Sequence, residues 1–208
     1  MEDILELYQR PYDPNQPLIC MDETSKQLVK ETRQPIGMTP GKPARYDYEY
    51  ERNGVCNIFM CYEPFGGKRY VSITDHRTKQ DWAIQIKQLL EVRFPTVEKI
   101  VLVADNLNTH NGSSLYETFS PEEARRLLNR LEIHYTPKHG SWLNIAEIEL
   151  RVLSGQCLNR RIPDRQALQN EVAAWQNQRN FKQAKVDWRF STDNARIKLK
   201  RLYPTLLT

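Results

Sequence analysis

Two short apolar runs in this sequence each close on an aspartate: Leu18-Ile-Cys-Met21 leads to Asp22, and Ile100-Val-Leu-Val-Ala104 leads to Asp105. Further on, Glu147 and Glu149 follow the turn-like segment Pro137-Lys-His-Gly-Ser-Trp-Leu-Asn144. Carboxylates suit hard cations. Magnesium prefers oxygen ligands and keeps several waters, so two or three convergent acids plus a substrate phosphate make a sufficient site. Two such ions about 4 Å apart can activate the attacking oxygen and stabilise the leaving one in a phosphodiester displacement. Such a site needs no histidine or cysteine ligand. A strand-end aspartate also commonly caps the next turn, so neither aspartate argues for chemistry until a third acid joins the pair.

The elements that would bring the acids together can be read from the pattern around them. If the two apolar runs are neighbouring parallel strands, both aspartates emerge at the same sheet edge, where open α/β sheets place their ligand sites. The glutamates fall on a helix expected over residues 145–158. At about 100° per residue they point about 200° apart, so only one can face the aspartates. Ile145, Ile148 and Val152 define an apolar face, which Leu150 and Leu153 extend; Glu147 borders it in the first turn and Glu149 lies nearer the far side. Glu147 has a second use. With Asn144 as N-cap it sits at the third helical position, close to a capping box, and a first-turn acid suits the helix dipole. Spacing alone serves catalysis and capping equally.

The rest of the chain reads as a mixed α/β protein. A helix over residues 3–10 ends at the Pro-rich PYDPNQP. Residues 25–45 hold five prolines and glycines among five cations and read as a long functional loop. Tyr46, Tyr48 and Tyr50 alternate with acids as in a half-buried strand, and Asn53-Gly54 marks a tight hairpin into Val55–Tyr62. Gly66-Gly67 turns again into Arg69–Thr74. Helices follow over 79–93 and 120–131, the latter with Ser120, Pro121 and Glu123 in the positions of a capping box, and Ile133–Thr136 is a short strand. Helices over 164–179 and 192–202 complete the chain. Three antiparallel strands followed by alternating helices and short strands describe a mixed sheet with helices packed on it, not a doubly wound parallel one.

Composition sets the outer limits. The 208 residues suffice for one well-buried core. No run approaches the roughly 20 apolar residues of a membrane span, and the start, MEDILELYQR, is acidic and amphipathic, unlike a signal peptide. A cytoplasmic protein without membrane contact is expected. Cys20, Cys56, Cys61 and Cys157 show no metal-binding spacing and are expected to be reduced and part-buried. Residues 151–208 carry 12 Lys and Arg against 4 Asp and Glu, whereas residues 1–150 carry 18 against 22. A basic segment on an acidic domain suits a polyanion, since phosphate contacts release counterions; a pair of solvated basic helices fits the same charges.

Met21-Asp22-Glu23, Ala104-Asp105-Asn106-Leu-Asn-Thr-His110 and Pro137-Lys-His-Gly-Ser-Trp-Leu-Asn144-Ile-Ala-Glu147, with the tail Ala195-Arg-Ile-Lys-Leu-Lys-Arg-Leu-Tyr-Pro204, resemble the DDE transposases of the mariner superfamily, in the branch found in bacterial insertion sequences. The resemblance spans residues 1–204. It implies a ribonuclease H-like fold, with three antiparallel strands and then two parallel ones flanked by helices. It divides the chain into an N-terminal helix and linker (1–16), a catalytic core (17–160) and a basic helical part of the same domain (161–208). It implies metal-dependent cleavage and transfer of DNA strands at element ends. Asp22, Asp105 and Glu147 match the three acids, which would hold two magnesium or manganese ions.

The family's Asn-Pro-x-Glu pattern reads Asn144-Ile-Ala-Glu147 here, without the proline, and the 42 positions from Asp105 to Glu147 exceed the compact mariner spacing. Glu149 is therefore the fallback third acid; otherwise it is left to solvent or a salt bridge. Asn106 and His110 would orient the second aspartate or contact a phosphate. Lys138, His139 and Ser141 would hold the scissile strand, and Arg160 and Arg161 would bind DNA. Trp142 either stacks on a base or, as the preferred reading, is buried as an anchor for the helix start. The resemblance implies DNA as partner and a homodimer in the active complex. Family members usually carry N-terminal helix-turn-helix modules, whereas this chain reaches its first catalytic strand by residue 18, so either a separate or frameshift-joined polypeptide is expected to read the ends or the chain is a truncated copy. A DNA-binding regulatory fragment and a ribonuclease H-like nuclease that resolves DNA structures are the alternatives.

Overall fold

Strand patterning places the acids before any helix does. In the computed structural model, which describes residues 1–203, β1 (Leu18–Glu31) pairs antiparallel with β2 (Tyr50–Glu63), and β2 with β3 (Lys68–Thr74). On the other side of β1 lie β4 (Ile100–Ala104) and then β5 (Leu131–Tyr135), both parallel to it, giving the order β3-β2-β1-β4-β5. This is the expected mixed sheet.

Alternation along the strands splits the core into two layers. Cys20, Ile58, Met60, Tyr62, Val101 and Val103 face the layer formed by α1 (Glu2–Leu7), α5 (Ile145–Leu153) and α6 (Arg165–Phe181). Ile19, Met21, Phe59, Cys61, Ile100 and Leu102 face α2 (Lys79–Gln88), α3 (Gly112–Thr118) and α4 (Pro121–Asn129). Successive strand side chains point to opposite faces. Asp22 is in phase with Leu18 and Cys20 and belongs to the face that α5 covers, whereas Asp105 follows the end of β4. Leu18–Cys20 align with Val101–Val103, and each aspartate follows two residues past the end of that pairing.

Several expectations fail for identifiable reasons. β1 does not end at Asp22; it runs nine residues further to Glu31, because Glu23–Gln27 keep pairing with Val55–Phe59 of β2. Asn53-Gly54 is not a hairpin turn but lies inside β2. There Gln27 pairs with Val55 and Val29 with Arg52, and the extra residue forms a bulge in which Gly54 takes φ +87°. The true turn spans residues 32–49, braced by the isolated bridges Ile36↔Arg45 and Thr39↔Lys42. Tyr46 and Tyr48 form no strand and stand exposed, since alternation without a neighbouring strand has nothing to bury against. Residues 25–31 of the expected loop are strand.

The helices over 79–93 and 145–158 have the expected extent, but each finishes in a π-helical turn, Leu89–Arg93 and Ser154–Leu158. The seven-residue helix α3 lies outside the expected elements; Asn111 caps it by accepting from the Ser113 N–H. A last helix, α7 (Thr192–Lys198), precedes a short 3-10 turn. Ser120 caps α4 through the Glu123 N–H, while the Glu123 carboxylate turns to Lys87 at 2.5 Å instead of completing the box. All four cysteines are free and fully buried, not part-buried, and burial pushes the Cys20 and Cys61 thiols up to about 12. Pro204, the end of the tail motif, lies outside the described residues. No helix among the described residues is long and apolar enough to cross a membrane.

Candidate active site

Asp22 stands beside β4 just beyond the parallel pairing, where the sheet stops covering it with backbone. Its Oδ1 accepts from the Glu23 N–H at 2.8 Å. Burial pushes its carboxyl up to about 7; the Glu23 N–H bond pulls down, while Asp105, Glu23 and Glu147 push up further. Asp105 and Glu147 are thus close enough to repel the first aspartate.

Asp105 is held from the far side. The turn after β4, closed by the His110 N–H to the Leu107 carbonyl at 3.0 Å, folds His110 back under the sheet edge, where it is 1% exposed. Its Nδ1 bonds Asp105 Oδ1, and its Nε2 lies 3.1 Å from Glu23 Oε2. The latter is a charge contact rather than an aligned hydrogen bond, since that oxygen has no hydrogen-bond partner. The ring stacks on Trp82 of α2, centroids 5.9 Å apart. Burial alone would lower the His110 pKa, but Asp105 and Glu23 outweigh it and raise it to about 9. The imidazole thus ties the end of β4 to β1 through two carboxylates.

Glu147 arrives on α5, whose start is docked by Asn144. The buried Asn144 side chain donates to the carbonyl of Met21, the residue before Asp22, at 2.8 Å, and accepts from the Ala146 N–H to cap the helix. Tyr8 adds a second tether, donating to the Leu143 carbonyl at 2.6 Å. Asn144 was legible as a cap; its bond to β1 was not. The capping box that competed for Glu147 is absent, because the Asn144 N–H bonds the Ser141 carbonyl and the Glu147 side chain makes no cap bond.

Glu149 does not face solvent. Its side chain is 1% exposed, with Oε2 2.7 Å from Arg69 Nε and Oε1 2.9 Å from Arg179 Nη2. The buried stripe of α5 is Ile145, Ala146, Glu149, Leu150 and Leu153, and the expected face residues Ile148 and Val152 are only half-buried. Two guanidiniums turn a position that looks polar in sequence into part of the interior.

The remaining expected residues are scattered. Asn106, Lys138, His139 and Ser141 are exposed on the loops after β4 and β5. Arg160 pairs with Glu171 and Arg161 with Glu31. Trp142 is 40% exposed rather than buried, stacked on Trp188 and edge-on to Phe190. A groove of about 390 Å³ is lined by Thr24, Lys26, Arg151, Ser154 and Asn159. Thr24 continues the face of Asp22 along β1, and the exposed Arg151 lies one turn after Glu147 on α5. That i,i+4 spacing is the signal in the sequence for Arg151.

Among the described residues no three His, Cys, Asp or Glu side chains are gathered tightly enough to close on one ion. The donor chemistry still suits a hard divalent cation: Asp22, Asp105 and Glu147 offer only carboxylate oxygens, and their mutual repulsion, visible at Asp22, is what a cation between them would relieve.

Residues 17–169 match the family model described as DDE superfamily endonuclease. No curated protein matches the sequence. Among solved structures, the Mos1 mariner paired end complex with Mn is similar at TM-score 0.59 and 15% identity, covering 88% of this chain and 55% of that one. The Mos1 strand transfer complex gives 0.59, 14%, 88% and 54%, and the Mos1 paired end complex with Mg 0.56, 18%, 84% and 51%. The likeness is one of fold, a ribonuclease H-like mixed sheet, and the chain spans about half the length of the structures it matches.

Proposed function

The chain belongs to the DDE superfamily endonuclease family, and from that membership we propose that it is the catalytic domain of an insertion-sequence transposase, which cuts and joins DNA strands at element ends. The observation that supports the reading is that β1, β4 and α5 bring Asp22, Asp105 and Glu147 to the same end of the sheet, with Asp105 and Glu147 both among the groups that raise the Asp22 carboxyl.

In this reading the three carboxylates would hold two magnesium or manganese ions, which would supply positive charge to the attacking and leaving oxygens of a phosphodiester. His110 holds the Asp105 carboxylate in place. Asn144 fixes the start of α5 to β1 and so sets how far Glu147 stands from Asp22. Arg151, with Thr24 and Ser154, lines the path of the DNA backbone away from the acids, and Lys138, His139, Ser141 and Asn106 border its entrance. Arg160 and Arg161, engaged by Glu171 and Glu31, play the lesser part in DNA binding. The partners are the element's ends and its target DNA, a second copy of the chain, and a helix-turn-helix module that reads the ends; the setting is the cytoplasm.

The test is a labelled duplex bearing the ends of the element that encodes this chain, incubated with magnesium or manganese. Nicks that appear with metal, vanish with chelator and are lost in Asp22→Asn are expected. Equal cleavage by Asp22→Asn would overturn the assignment.

A further inference from the structure

We propose that Arg69, Glu149 and Arg179 form a positioning strut that fixes the roll of α5 and thereby aims Glu147 at the aspartates; the inference rests on the reading of Glu147 as a metal-holding acid. Asn144 anchors α5 at its first turn, next to Asp22. The Tyr8 tether and the buried stripe of Ile145, Ala146, Leu150 and Leu153 dock the helix broadly, but apolar contacts are non-directional and leave small rolls about its axis open. Glu149 supplies a second anchor more than a turn further on. It points about 200° away from Glu147, so drawing Glu149 inward holds Glu147 out towards the acids.

The strut is itself rigid. Arg69 is 0% exposed and uses all three guanidinium nitrogens: Nε on Glu149, Nη1 on the Gly67 carbonyl at 2.8 Å, and Nη2 on the Ala184 carbonyl. Its plane lies over the Tyr62 ring at 4.8 Å, and its backbone exchanges two hydrogen bonds of 2.8 Å with the Asn180 side chain. Gly67, at φ +66°, lets this turn approach residues 183–185 so closely that a Cβ there would lie 2.6 Å from the Gln183 carbonyl. Arg179 grips the other carboxylate oxygen from α6. Glu149 is thus clamped from β3 and α6 together, one guanidinium nitrogen on each carboxylate oxygen.

Magnitudes favour orientation over stability as the purpose. Apolar residues of similar volume often replace a buried ion pair with no loss of stability, so holding the fold together does not require these charges. Aiming a metal ligand is more exacting. Side-chain tips stand about 5–6 Å from a helix axis, so a roll of about 20° would move the Glu147 carboxylate by about 2 Å. Metal-ligand distances tolerate about 0.2 Å.

The experiment replaces the strut with apolar side chains, Arg69→Met, Glu149→Leu and Arg179→Met together, in the full chain. It reads Mn²⁺ binding by electron paramagnetic resonance, melting temperature, and DNA binding without metal. A cooperative fold and unchanged DNA binding with Mn²⁺ affinity weakened about 10-fold or more, in the range for residues that orient metal ligands, is the expected result. A folded triple variant with wild-type Mn²⁺ affinity would overturn the strut. Should the triple variant not fold, Arg179→Met alone leaves the Arg69–Glu149 pair intact. It is expected to weaken Mn²⁺ binding measurably, and unchanged binding again overturns the proposal. Wild-type protein whose Mn²⁺ binding is indifferent to Asp22→Asn would instead strike the metal-site reading, and the strut with it.

Discussion

Glu147 and Glu149 lie two positions apart on α5 and meet opposite surroundings: Glu149 is sealed between the guanidiniums of Arg69 and Arg179, while Glu147 stands half-buried beside Asp22. Their substitutions should separate accordingly. Glu149→Ala leaves a buried Arg69 without its partner and is expected to cost about 3–5 kcal/mol in denaturant unfolding. Glu147→Gln removes no contact and should stay within about 0.5 kcal/mol of wild type while abolishing metal-dependent cleavage. The reverse order of stabilities would refute this division of roles.

His110 touches Asp105 and Glu23 and no solvent. Replacing it with Asn keeps a polar side chain but loses the two-sided contact. A fall of about 10–100-fold in metal-dependent cleavage is expected, as for other residues that orient metal ligands, with KM for DNA little changed. A selective rise in KM would place His110 on the substrate instead.

His134 joins α1 to β5, with Nδ1 2.8 Å from Asp3 and Nε2 2.9 Å from Glu132. Burial works to lower its pKa, but the two carboxylates prevail and raise it. A group with a raised folded pKa stabilises fully below its unfolded value, about 6.5, and loses that contribution as pH climbs through the folded value. The melting temperature of wild type relative to His134→Gln should therefore be highest at acid pH and decline above about pH 6.5. A difference that grows with pH would contradict the assignment.

The groove beside the acids predicts an ordering of arginines. Arg151 lines it, whereas Arg160 is taken up by Glu171. Removing one phosphate contact lowers the slope of log affinity against log salt by about 1. Arg151→Ala should show that loss in salt titrations of DNA binding, and Arg160→Ala less. A larger effect at Arg160 would move the DNA path to the other side of the π-helical turn.

Much of the site could be read in the sequence because strand alternation and motif order are local properties. The two apolar runs ending in acids suggest neighbouring parallel strands, which β1 and β4 are, whereas spacing leaves Glu147 and Glu149 open and only the resemblance to the family's Asn-Pro-x-Glu pattern points to Glu147. What escaped depends on partners distant in sequence. Nothing near Glu149 announces Arg69, 80 positions earlier, or near Asn144 the Met21 carbonyl. Trp142 looked like a core residue until Trp188 and Phe190 supplied a surface stack. The Asn53-Gly54 pair has the chemistry of a hairpin turn, and only the continued pairing of β1 past Asp22 converts it to a bulge.

The central claim is that Asp22, Asp105 and Glu147 share metal ions. Anomalous diffraction from crystals soaked in manganese tests it most directly. The account predicts peaks bounded by these three carboxylates, with the Glu149 side chain still between Arg69 and Arg179. Peaks elsewhere, or a Glu147 carboxylate turned back to the backbone of Asn144, would contradict it.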